Sequence, residues 1–365
     1  MSIIHKVRII IVLFSLFALS AIISCYTLSF NKETINSQIF EYNERELFKA
    51  WHTLYDKKYK IESVYGEERF LIFLDNIKSI RTQLMDPNKS FKIGLNAFSD
   101  QTLDELAVKY LDLSMHKFVK KKFLMHPELE LLSLLDSSSN KPSFEPIDWR
   151  DADIFLPVRD QKDCGGCWAF ASLGAIEALR KLKGKGNNNY LSVQQLIDCD
   201  SKEKGCKGGW PSMAYNYLGK NGSVLDSDYP YKALNDVCKS EVVSHNVVAR
   251  IETSIDSCEE DECLTNGYQY KLLKNGPMAT VIDAYNTLFF NYKSGIYSEE
   301  CAEPNHAIIL VGFGVDAKTK EEYWIIRNSW GSDWGMNGYG YVKHNPQNYL
   351  SCNINRYGFQ PRIIE

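Results

Sequence analysis

Cysteine is absent from a long stretch near the start of this 365-residue chain. None of the ten cysteines lies between residues 26 and 163, whereas nine of them lie between Cys164 and Cys352. Disulfide bonds at that density are typical of secreted domains. The gap therefore predicts one part without disulfides and one part cross-linked by them, with a boundary near residue 140. Because nine is an odd number, we expect at least one of these cysteines to be unpaired or paired outside the chain.

The sequence also lacks a basic stripe and, beyond its first residues, any long apolar run. Its 42 lysines and arginines are outnumbered by 46 acidic residues, and the formal net charge is −4. Without a basic surface interleaved with aromatic residues, nucleic acid is excluded as an expected partner. No later segment is long and apolar enough to cross a bilayer, so we expect no stable membrane anchor.

The first residues have the pattern of a secretory signal peptide. Lys6 and Arg8 precede the apolar run from Ile9 to Ile23, and the small residues Ser24–Cys25 follow it. We expect a signal peptide over residues 1–25. The alternative is a signal anchor that stays in the membrane, but the run is shorter than the roughly 20 residues of a spanning helix. We therefore expect the secretory pathway, ending in a lysosome-like or vacuole-like compartment or outside the cell.

Helical periodicity dominates the part that lacks cysteine. Between residues 40 and 112, apolar residues recur at three- and four-residue spacing, which predicts helices. The polar stretch 136–143 contains a proline and shows no periodicity, so it predicts an exposed linker. Later runs such as AIILVGFGV and YWIIRNSWG predict strands. The second half is therefore expected to be α+β, with helices early and antiparallel strands late.

Cys167 has the surroundings of a reactive thiol. It follows Gly165–Gly166 and opens a predicted helix, whose dipole and unpaired N–H groups favour a thiolate. Cys164 and Cys167 could instead form a thioredoxin-like redox pair or half of a zinc site. A redox pair usually follows a tryptophan, but Trp168 comes after the second cysteine, and no second close cysteine pair suits zinc. We therefore expect no metal and no cofactor.

A nucleophilic cysteine needs a base, and the cysteine-rich part offers three histidines. His245 lies in a polar run, and His344 follows a predicted strand. His306 immediately precedes the apolar run AIILVGFG, and Asn328 ends the run YWIIRN. An amide that accepts a hydrogen bond from the imidazole can hold the ring without adding charge, which would leave a stable thiolate–imidazolium pair. An isolated histidine is commonly structural, but this placement favours His306 as the base.

Three motifs resemble those of the papain family of cysteine proteases, most closely its cathepsin L-like branch. They are QKDCGGCWAF at 161–170, NHAIILVGFG at 305–314 and NSWGSDWG at 328–335, in the family's order and spacing. The resemblance covers roughly residues 40 to 365. It implies a two-domain papain-like α+β fold, with a helical left domain and an antiparallel β-barrel-like right domain, after an α-helical propeptide.

The resemblance also implies domain boundaries and catalytic roles. We expect an inhibitory propeptide at 26–140, with a helical core at about 40–112, and a peptidase domain at 141–365. Cys167 would be the nucleophile and His306 the general base and acid. Asn328 would orient the imidazole. Gln161 would form the oxyanion hole with the Cys167 N–H, where each donor is worth about 2.7–4 kcal/mol.

These roles imply a secreted zymogen whose enzyme cleaves internal peptide bonds through an acyl-enzyme intermediate. Gly208 and Gly209 would offer backbone groups to the substrate, and an apolar S2 pocket would favour a hydrophobic residue at P2, the second residue before the cut. The other implied substrate-binding residues are Trp210, Pro211, Val281, Asn305, Trp330 and Tyr357. The alternatives are a catalytically silent papain-fold binding protein and a secreted redox or structural disulfide protein.

The resemblance further implies partners and disulfides. We expect protein or peptide substrates, inhibition by the chain's own propeptide and by cystatin-like proteins, and a monomer. The implied bridges are Cys164–Cys206, Cys199–Cys238 and Cys301–Cys352. Cys258 and Cys263 have no family counterpart, and pairing them with each other would leave Cys167 free.

The propeptide matches the family's helix signature in part. Arg69, Phe73, Asn76 and Ile80 agree with it, as do Gly94, Asn96, Phe98 and Asp100 with the second propeptide motif. Two positions depart: Tyr65 stands where the pattern has Glu, and Leu84 where it has Asn. These departures put the packing of the propeptide helix in question.

Overall fold

A computed structural model describes residues 31–32, 34–115, 144–259, 267–344 and 352–364 of the chain. The expected signal peptide at 1–25 and linker at 136–143 lie outside these ranges. Within the described ranges, no helix is both long enough and apolar enough to span a bilayer. The chain divides into two compact units: residues up to Arg81 with Leu95–Asp100, and Thr82–Gly94 with residues from Gln101 onward.

Aromatic side chains build the core of the first unit. Its helices are α1 (Thr34–Ser37), α2 (Glu44–Leu54) and α3 (Val64–Leu84), of which the last three residues, from Thr82, belong to the second unit. The rings of Phe48 and Trp51 lie 5.1 and 4.9 Å from that of Phe73, and all three side chains are fully buried. The apolar spacing of this region therefore correctly predicted its helices, which meet along their aromatic stripes.

Tyr65, one of the two departures from the family signature, contacts Arg69. The Arg69 guanidinium is buried, donates to the carbonyl oxygen of Asp100 at 3.2 Å and lies 4.8 Å from the centre of the Tyr65 ring. A cation over a ring face is attracted to it, so the ring serves where the pattern has a carboxylate. The other departure, Leu84, is the last residue of α3 and is exposed.

The second unit contains the remaining described helices and all the described strands. Its helices are α4 (Leu103–Tyr110), α5 (Cys167–Leu182), α6 (Val193–Cys199), α7 (Pro211–Asn221), α8 (Ser240–His245), α9 (Tyr268–Leu273) and α10 (Thr287–Phe290). Its strands are β1 (Phe91–Ile93), β2 (Ile147–Asp148), β3 (Ile251–Glu259), β4 (Met278–Ile282), β5 (Tyr292–Tyr297), β6 (His306–Val315), β7 (Glu322–Arg327), β8 (Tyr339–Lys343) and β9 (Tyr357–Ile363). Short 3-10 turns lie at Trp149–Ala152, Gly205–Lys207 and Ile354–Arg356.

The strands form one sheet in the order β1-β5-β8-β7-β6-β4-β9-β3, with β2 pairing against β6. The α+β class expected from the sequence is confirmed, but two details differ. The pair β5–β8 is parallel rather than antiparallel, because the chain passes through β6 and β7 between them. In addition, β1 lies inside the region expected to be helical, where Phe91–Ile93 pairs with the edge of β5.

Helix α5 carries Cys167 into the centre of the second unit. Nearly every side chain from Cys167 to Leu179 is buried, so the helix is covered on all faces rather than on one stripe. It packs against β6, and a Cβ on Gly174 would lie 2.5 Å from Ile309 of that strand. Glycine therefore permits the close approach that brings α5 beside β6.

A buried ion pair fixes α5 to the preceding loop. The Glu177 carboxylate lies 3.1 Å from the Arg159 guanidinium and accepts the Leu191 N–H at 2.7 Å. Burial raises the pKa of Glu177, and the charge of Arg159 opposes that shift. The carboxylate thus depends on Arg159 to remain ionised in the interior.

Replacing Glu177 by Ala should lower the free energy of unfolding by about 3 kcal/mol, because Arg159 would keep its burial and lose its partner. The measurement is urea unfolding of the chain in a Cys167→Ser background, which prevents self-cleavage. The exposed Glu241→Ala variant is the control, and it should change the free energy by less than about 0.5 kcal/mol. Equal effects of the two substitutions would contradict a stabilising ion pair.

Candidate active site

The histidine and the asparagine expected in the site lie on neighbouring strands. His306 is the first residue of β6 and Asn328 directly follows β7, and these strands pair antiparallel. The imidazole Nε2 lies 2.8 Å from Asn328 Oδ1, which also accepts the Ser329 N–H at 2.8 Å. Because the amide oxygen can only accept, Nε2 carries the imidazole proton that points to Asn328. Both side chains are buried.

Cys167 reaches the same place from the opposite side. It is the first residue of α5, its side chain is fully buried, and the thiol contacts the backbone N–H of Ala307, next to His306. Cys167 is the free cysteine within the described part of the chain. The structure therefore brings Cys167, His306 and Asn328 together at the point where α5 meets β6.

Trp330 covers the His306–Asn328 contact with an aromatic surface. Its ring lies 4.7 Å from the His306 ring and stacks on Phe290 at 4.3 Å. Trp330 itself is only 3% exposed. Excluding water strengthens a hydrogen bond in a site of low dielectric constant, so this ring shields the His306–Asn328 contact.

Gln161 is buried and makes hydrogen bonds with every polar group of its side chain. Nε2 donates to the carbonyl oxygens of Tyr110 and Cys164, both at 3.0 Å, and Oε1 accepts from Ser329 Oγ at 2.7 Å. Its backbone N–H donates to the Ser329 carbonyl oxygen at 2.8 Å. One amide proton of Gln161 thus points at a peptide carbonyl within the cleft.

The peptide in the cleft comes from the chain's own residues 110–115. Tyr110, the last residue of α4, offers the carbonyl that Gln161 binds, and the Asp112 N–H donates to the Asn305 carbonyl oxygen at 2.8 Å. Asp112 and Met115 are buried. Sequence reasoning did not identify these residues. The capping box of Thr102 marks the start of the short helix that ends at Tyr110. It is the sequence signal that could have indicated where this segment begins.

Burial by this segment opposes charge on both members of the catalytic pair. Burial raises the pKa of the Cys167 thiol to about 12, although the N–H groups of Ala307 and Trp168 favour the thiolate. The Asp112 charge acts in the same direction as burial. Burial also lowers the pKa of His306 to about 4, against its hydrogen bond with Asn328. Both charges would be desolvated in the covered site, so the thiolate–imidazolium pair stays an expectation for the open cleft.

The two cleft glycines are required by close neighbours. Gly208 has φ +112°, and a Cβ there would collide with the side chain of Asp112. At Gly209 a Cβ would lie 2.6 Å from both Glu203 Oε2 and the Trp168 ring. Both positions therefore need glycine, and at Gly208 the need arises from the close passage of the segment that carries Asp112.

The expected S2 residues share one buried apolar cluster. Trp210, Val281 and Tyr357 belong to it, and the Trp210 and Tyr357 rings meet edge to face at 5.6 Å. Met115, from the segment in the cleft, belongs to the same cluster and is fully buried. Pro211 starts α7 at its first position, where a proline needs no hydrogen-bond partner.

Asn305 takes part in the cleft through its backbone rather than its side chain. Its Oδ1 accepts the Ala284 N–H at 2.8 Å, and its Nδ2 donates to Asp283 Oδ1 at 2.5 Å. These bonds hold the side chain within the protein. The Asn305 carbonyl oxygen, which faces Asp112, is the group available to a bound peptide.

The structure joins the three cysteine pairs that the resemblance implies. They are Cys164–Cys206, Cys199–Cys238 and Cys301–Cys352. Cys258 is also disulfide-bonded, and Cys263, its expected partner, lies outside the described residues. The first bridge ties the loop before α5 to the turn before Gly208, so it holds the nucleophile beside the cleft wall. In the described ranges, no group of three potential ligands is arranged for a metal ion.

The remaining two histidines lie away from Cys167. His245 ends the short helix α8 and is exposed, with Nδ1 2.8 Å from the Glu241 carbonyl oxygen. His344 is buried, and its Nδ1 lies 2.9 Å from Glu322 Oε2. Each contact is of a structural kind, which leaves His306 as the imidazole beside the thiol.

Alkylation of Cys167 by iodoacetamide should depend on pH differently in the full chain and in the chain freed of residues before Phe144. In the full chain, a thiol pKa near 12 leaves a thiolate fraction of about 10⁻⁵ at pH 7. The rate should therefore rise about tenfold per pH unit from pH 5 to 8, without a plateau. In the freed chain, solvent returns to the site, and the rate should be at least about 100-fold higher at pH 6. Equal rates and profiles would contradict the effect of burial.

Comparisons with known proteins agree with this geometry. Residues 144–361 match the family model of papain family cysteine proteases, and residues 48–106 match that of the cathepsin propeptide inhibitor domain. Ananain from Ananas comosus is 34% identical over 295 residues, which cover 80% of each chain. Papain from Carica papaya is 32% identical over 320 residues, covering 87% of this chain and 86% of papain.

A solved structure of a recombinant stem bromelain precursor is similar as well. It aligns with a TM-score of 0.72 at 30% identity, covering 88% of this chain and 99% of the precursor. The matched family model spans more than half of the chain, and the propeptide model accounts for much of the remainder. The chain therefore belongs to the papain family of cysteine proteases, as an endopeptidase that carries its own cathepsin-type inhibitory propeptide.

Proposed function

We propose that the processed enzyme cleaves peptide bonds with Cys167 as nucleophile and His306 as general base and acid. The observation that carries the proposal is the peptide carbonyl of Tyr110, which Gln161 Nε2 holds at 3.0 Å in the site that contains Cys167 and His306. A substrate carbonyl bound in the same way would receive an oxyanion donor. The His306–Asn328 hydrogen bond of 2.8 Å would hold the imidazole in place meanwhile.

The reaction follows from these positions. Once the cleft is open, the thiol proton passes to the imidazole, and the Cys167 thiolate attacks the substrate carbonyl carbon. The negative charge moves to the carbonyl oxygen, where Gln161 Nε2 and the Cys167 N–H donate to it. His306 then gives its proton to the leaving amine, which leaves an acyl thioester. Water attacks the thioester with His306 as base, and the acid and free thiol are released.

The chain's own propeptide blocks this reaction by occupying one hydrogen-bond donor and one acceptor of the cleft. The Tyr110 carbonyl oxygen accepts from Gln161 Nε2, and the Asp112 N–H donates to the Asn305 carbonyl oxygen. We propose the boundaries 1–25 for the signal peptide, 26–140 for the propeptide and 141–365 for the peptidase. In support, the Phe144 ring stacks on Tyr270 at 4.3 Å, so the peptidase is docked from residue 144 onward.

The compartment follows from the leader and the cross-links. Disulfides form in oxidising compartments. The three described bridges of the peptidase and its disulfide-bonded Cys258 therefore suit the secretory route that the leader predicts. We propose a lysosome-like or vacuole-like compartment or the cell exterior as the destination. We also propose that the enzyme is a monomer and that protein inhibitors of the cystatin type bind it.

The S2 pocket should favour a hydrophobic P2 residue. Met115 of the propeptide supports this preference, since it lies in the same buried cluster as Trp210, Val281 and Tyr357. These walls carry no acidic side chain. A charged P2 side chain would lose its hydration there without a partner, which costs more than about 2 kcal/mol.

Cys167→Ser should abolish both self-processing and cleavage of a peptidyl fluorogenic substrate, while the fold is retained. The assay uses the full chain under reducing, mildly acidic conditions. We expect self-processing and substrate cleavage in the wild-type chain and neither in Cys167→Ser. If the wild-type chain stays uncleaved and inert while Cys167 still reacts with a thiol probe, the silent-homologue alternative is correct.

A substrate pair that differs only at P2 tests the pocket. A substrate with leucine at P2 should have a kcat/KM at least about 30-fold above its arginine counterpart, because the arginine would be buried unpaired. Trp210→Ala should reduce kcat/KM for the leucine substrate and thereby lower the ratio of kcat/KM between the leucine and arginine substrates. A preference for arginine in the wild type would contradict an apolar S2 pocket, without bearing on Cys167.

A further inference from the structure

Asn88 lies in an exposed reverse turn that connects α3 to β1. The turn runs from Asp86 to Lys89, whose N–H lies 3.5 Å from the Asp86 carbonyl oxygen, and the Asn88 N–H donates to Asp86 Oδ1 at 2.9 Å. Aspartate is favoured at the first position of such a turn and proline, here Pro87, at the second. The local sequence therefore favours a turn that presents Asn88 at the surface.

Asn88 also begins the motif Asn88–Lys89–Ser90, which is an acceptor sequence for N-linked glycosylation. The motif needs a middle residue other than proline and a hydroxyl at the third position, and this sequence meets both conditions. A glycan is bulky and requires a surface position. Asn88 is exposed, and within the part of the chain that the structure describes its side-chain amide makes no hydrogen bond. Its Nδ2 can therefore carry a sugar without the loss of a described contact.

A second motif of this kind begins at Asn221, and its surroundings differ. Asn221 is the last residue of α7, and its Nδ2 donates to the Tyr217 carbonyl oxygen at 2.9 Å. The hydroxyl residue of this motif, Ser223, is only 2% exposed. The amide of Asn221 thus satisfies a carbonyl at the helix end, whereas the amide of Asn88 has no such role. The geometry favours Asn88 of the two.

The two residues after Asn88 bind the segment around β5. Lys89 Nζ lies 2.5 Å from Glu299 Oε1, and Ser90 Oγ donates to the Ile296 carbonyl oxygen at 2.7 Å. The Ile296 N–H donates in turn to the Ser90 carbonyl oxygen at 2.9 Å. The Ser90 hydroxyl is therefore engaged once this segment has docked. Because the acceptor motif depends on that hydroxyl, the sugar would have to be attached before docking.

We propose that Asn88 is a site of N-linked glycosylation, and that its glycan leaves with the propeptide when the enzyme is processed. In the modification, Asn88 Nδ2 loses one proton and forms a bond to the first carbon of an oligosaccharide. The donor is a lipid-linked oligosaccharide diphosphate, in which the bond between sugar and phosphate breaks and the lipid diphosphate leaves. The inference rests on the proposed secretory route and propeptide boundary, and it does not depend on the catalytic roles.

The test uses the full chain with its own leader, made in eukaryotic cells that carry out N-linked glycosylation. A parent variant with Asn221→Gln and Cys167→Ser keeps Asn88 as its one acceptor motif and prevents self-cleavage. Treatment of cell extract and medium with a peptide N-glycosidase should increase the electrophoretic mobility of the parent. The enzyme converts a glycosylated asparagine to aspartate, so mass spectrometry of the treated chain should show aspartate at position 88.

Matched variants of the parent assign the shift to the motif. Asn88→Gln should migrate like the treated parent and should not respond to the enzyme. Ser90→Ala should behave in the same way, whereas Ser90→Thr keeps the hydroxyl and should keep the shift. Lys89→Ala removes the contact with Glu299 but leaves the motif intact, so it should shift as the parent does. With Cys167 restored, the processed enzyme should show no shift, because Asn88 lies in the part that is removed.

Three outcomes would overturn the inference: a parent that does not shift, an Asn88→Gln variant that still shifts, or a processed enzyme that retains the glycan. Peptidase activity is measured separately on the wild-type chain. An active wild type together with any of these outcomes would leave the catalytic proposal intact. An inert wild type whose Asn88 carries a glycan would overturn the catalytic proposal and leave this inference standing.

Discussion

A continuous series of hydrogen bonds connects the imidazole of His306 to the amide of Gln161, and the site depends on it. The series passes through Asn328 Oδ1, which accepts from both His306 and Ser329, and through the Ser329 hydroxyl. It exists because β6 and β7 pair antiparallel and place His306 beside the end of β7. Helix α5 places Cys167 beside this series of hydrogen bonds. The absence of a side chain at Gly174 permits this, because it lets α5 pack closely against β6.

Burial of the site also disfavours charge on Cys167 and His306. Residues 110–115 cover the cleft, and burial raises the pKa of Cys167 and lowers that of His306. Inhibition by the propeptide therefore has two physical components. The Tyr110 carbonyl occupies the donor that a substrate would need, and the loss of water keeps the thiol and the imidazole neutral. We expect removal of the segment to reverse both effects.

Local patterns in the sequence were sufficient for the parts of the site that lie on regular elements. The glycine pair and apolar stripe located the start of α5 at Cys167, and the apolar runs located His306 and Asn328 at strand ends. Strand β1 was not predicted, because three residues are too few to show an alternating pattern within a region of helical periodicity.

Features that depend on distant segments could not be predicted in this way. Residues 111–115 form no helix or strand, and no local pattern marks Leu111, Asp112 and Met115 as buried. Ser329 is similar: a serine after an asparagine carries no signal, and its hydrogen bond joins it to Gln161, 168 residues away in sequence. The pKa shifts of the catalytic pair could not be predicted for the same reason, because desolvation depends on which segment covers the site.

Measuring the protonation of His306 directly is the sharpest test of this account. The ¹⁵N chemical shifts of its imidazole would be recorded at pH 7 in the full chain and in the processed enzyme, each with Cys167 intact. We predict one protonated nitrogen, Nε2, in the full chain, since burial lowers the pKa of His306 there to about 4. We predict two protonated nitrogens in the processed enzyme, where the thiolate–imidazolium pair can form. A doubly protonated His306 in the full chain would contradict the effect of burial.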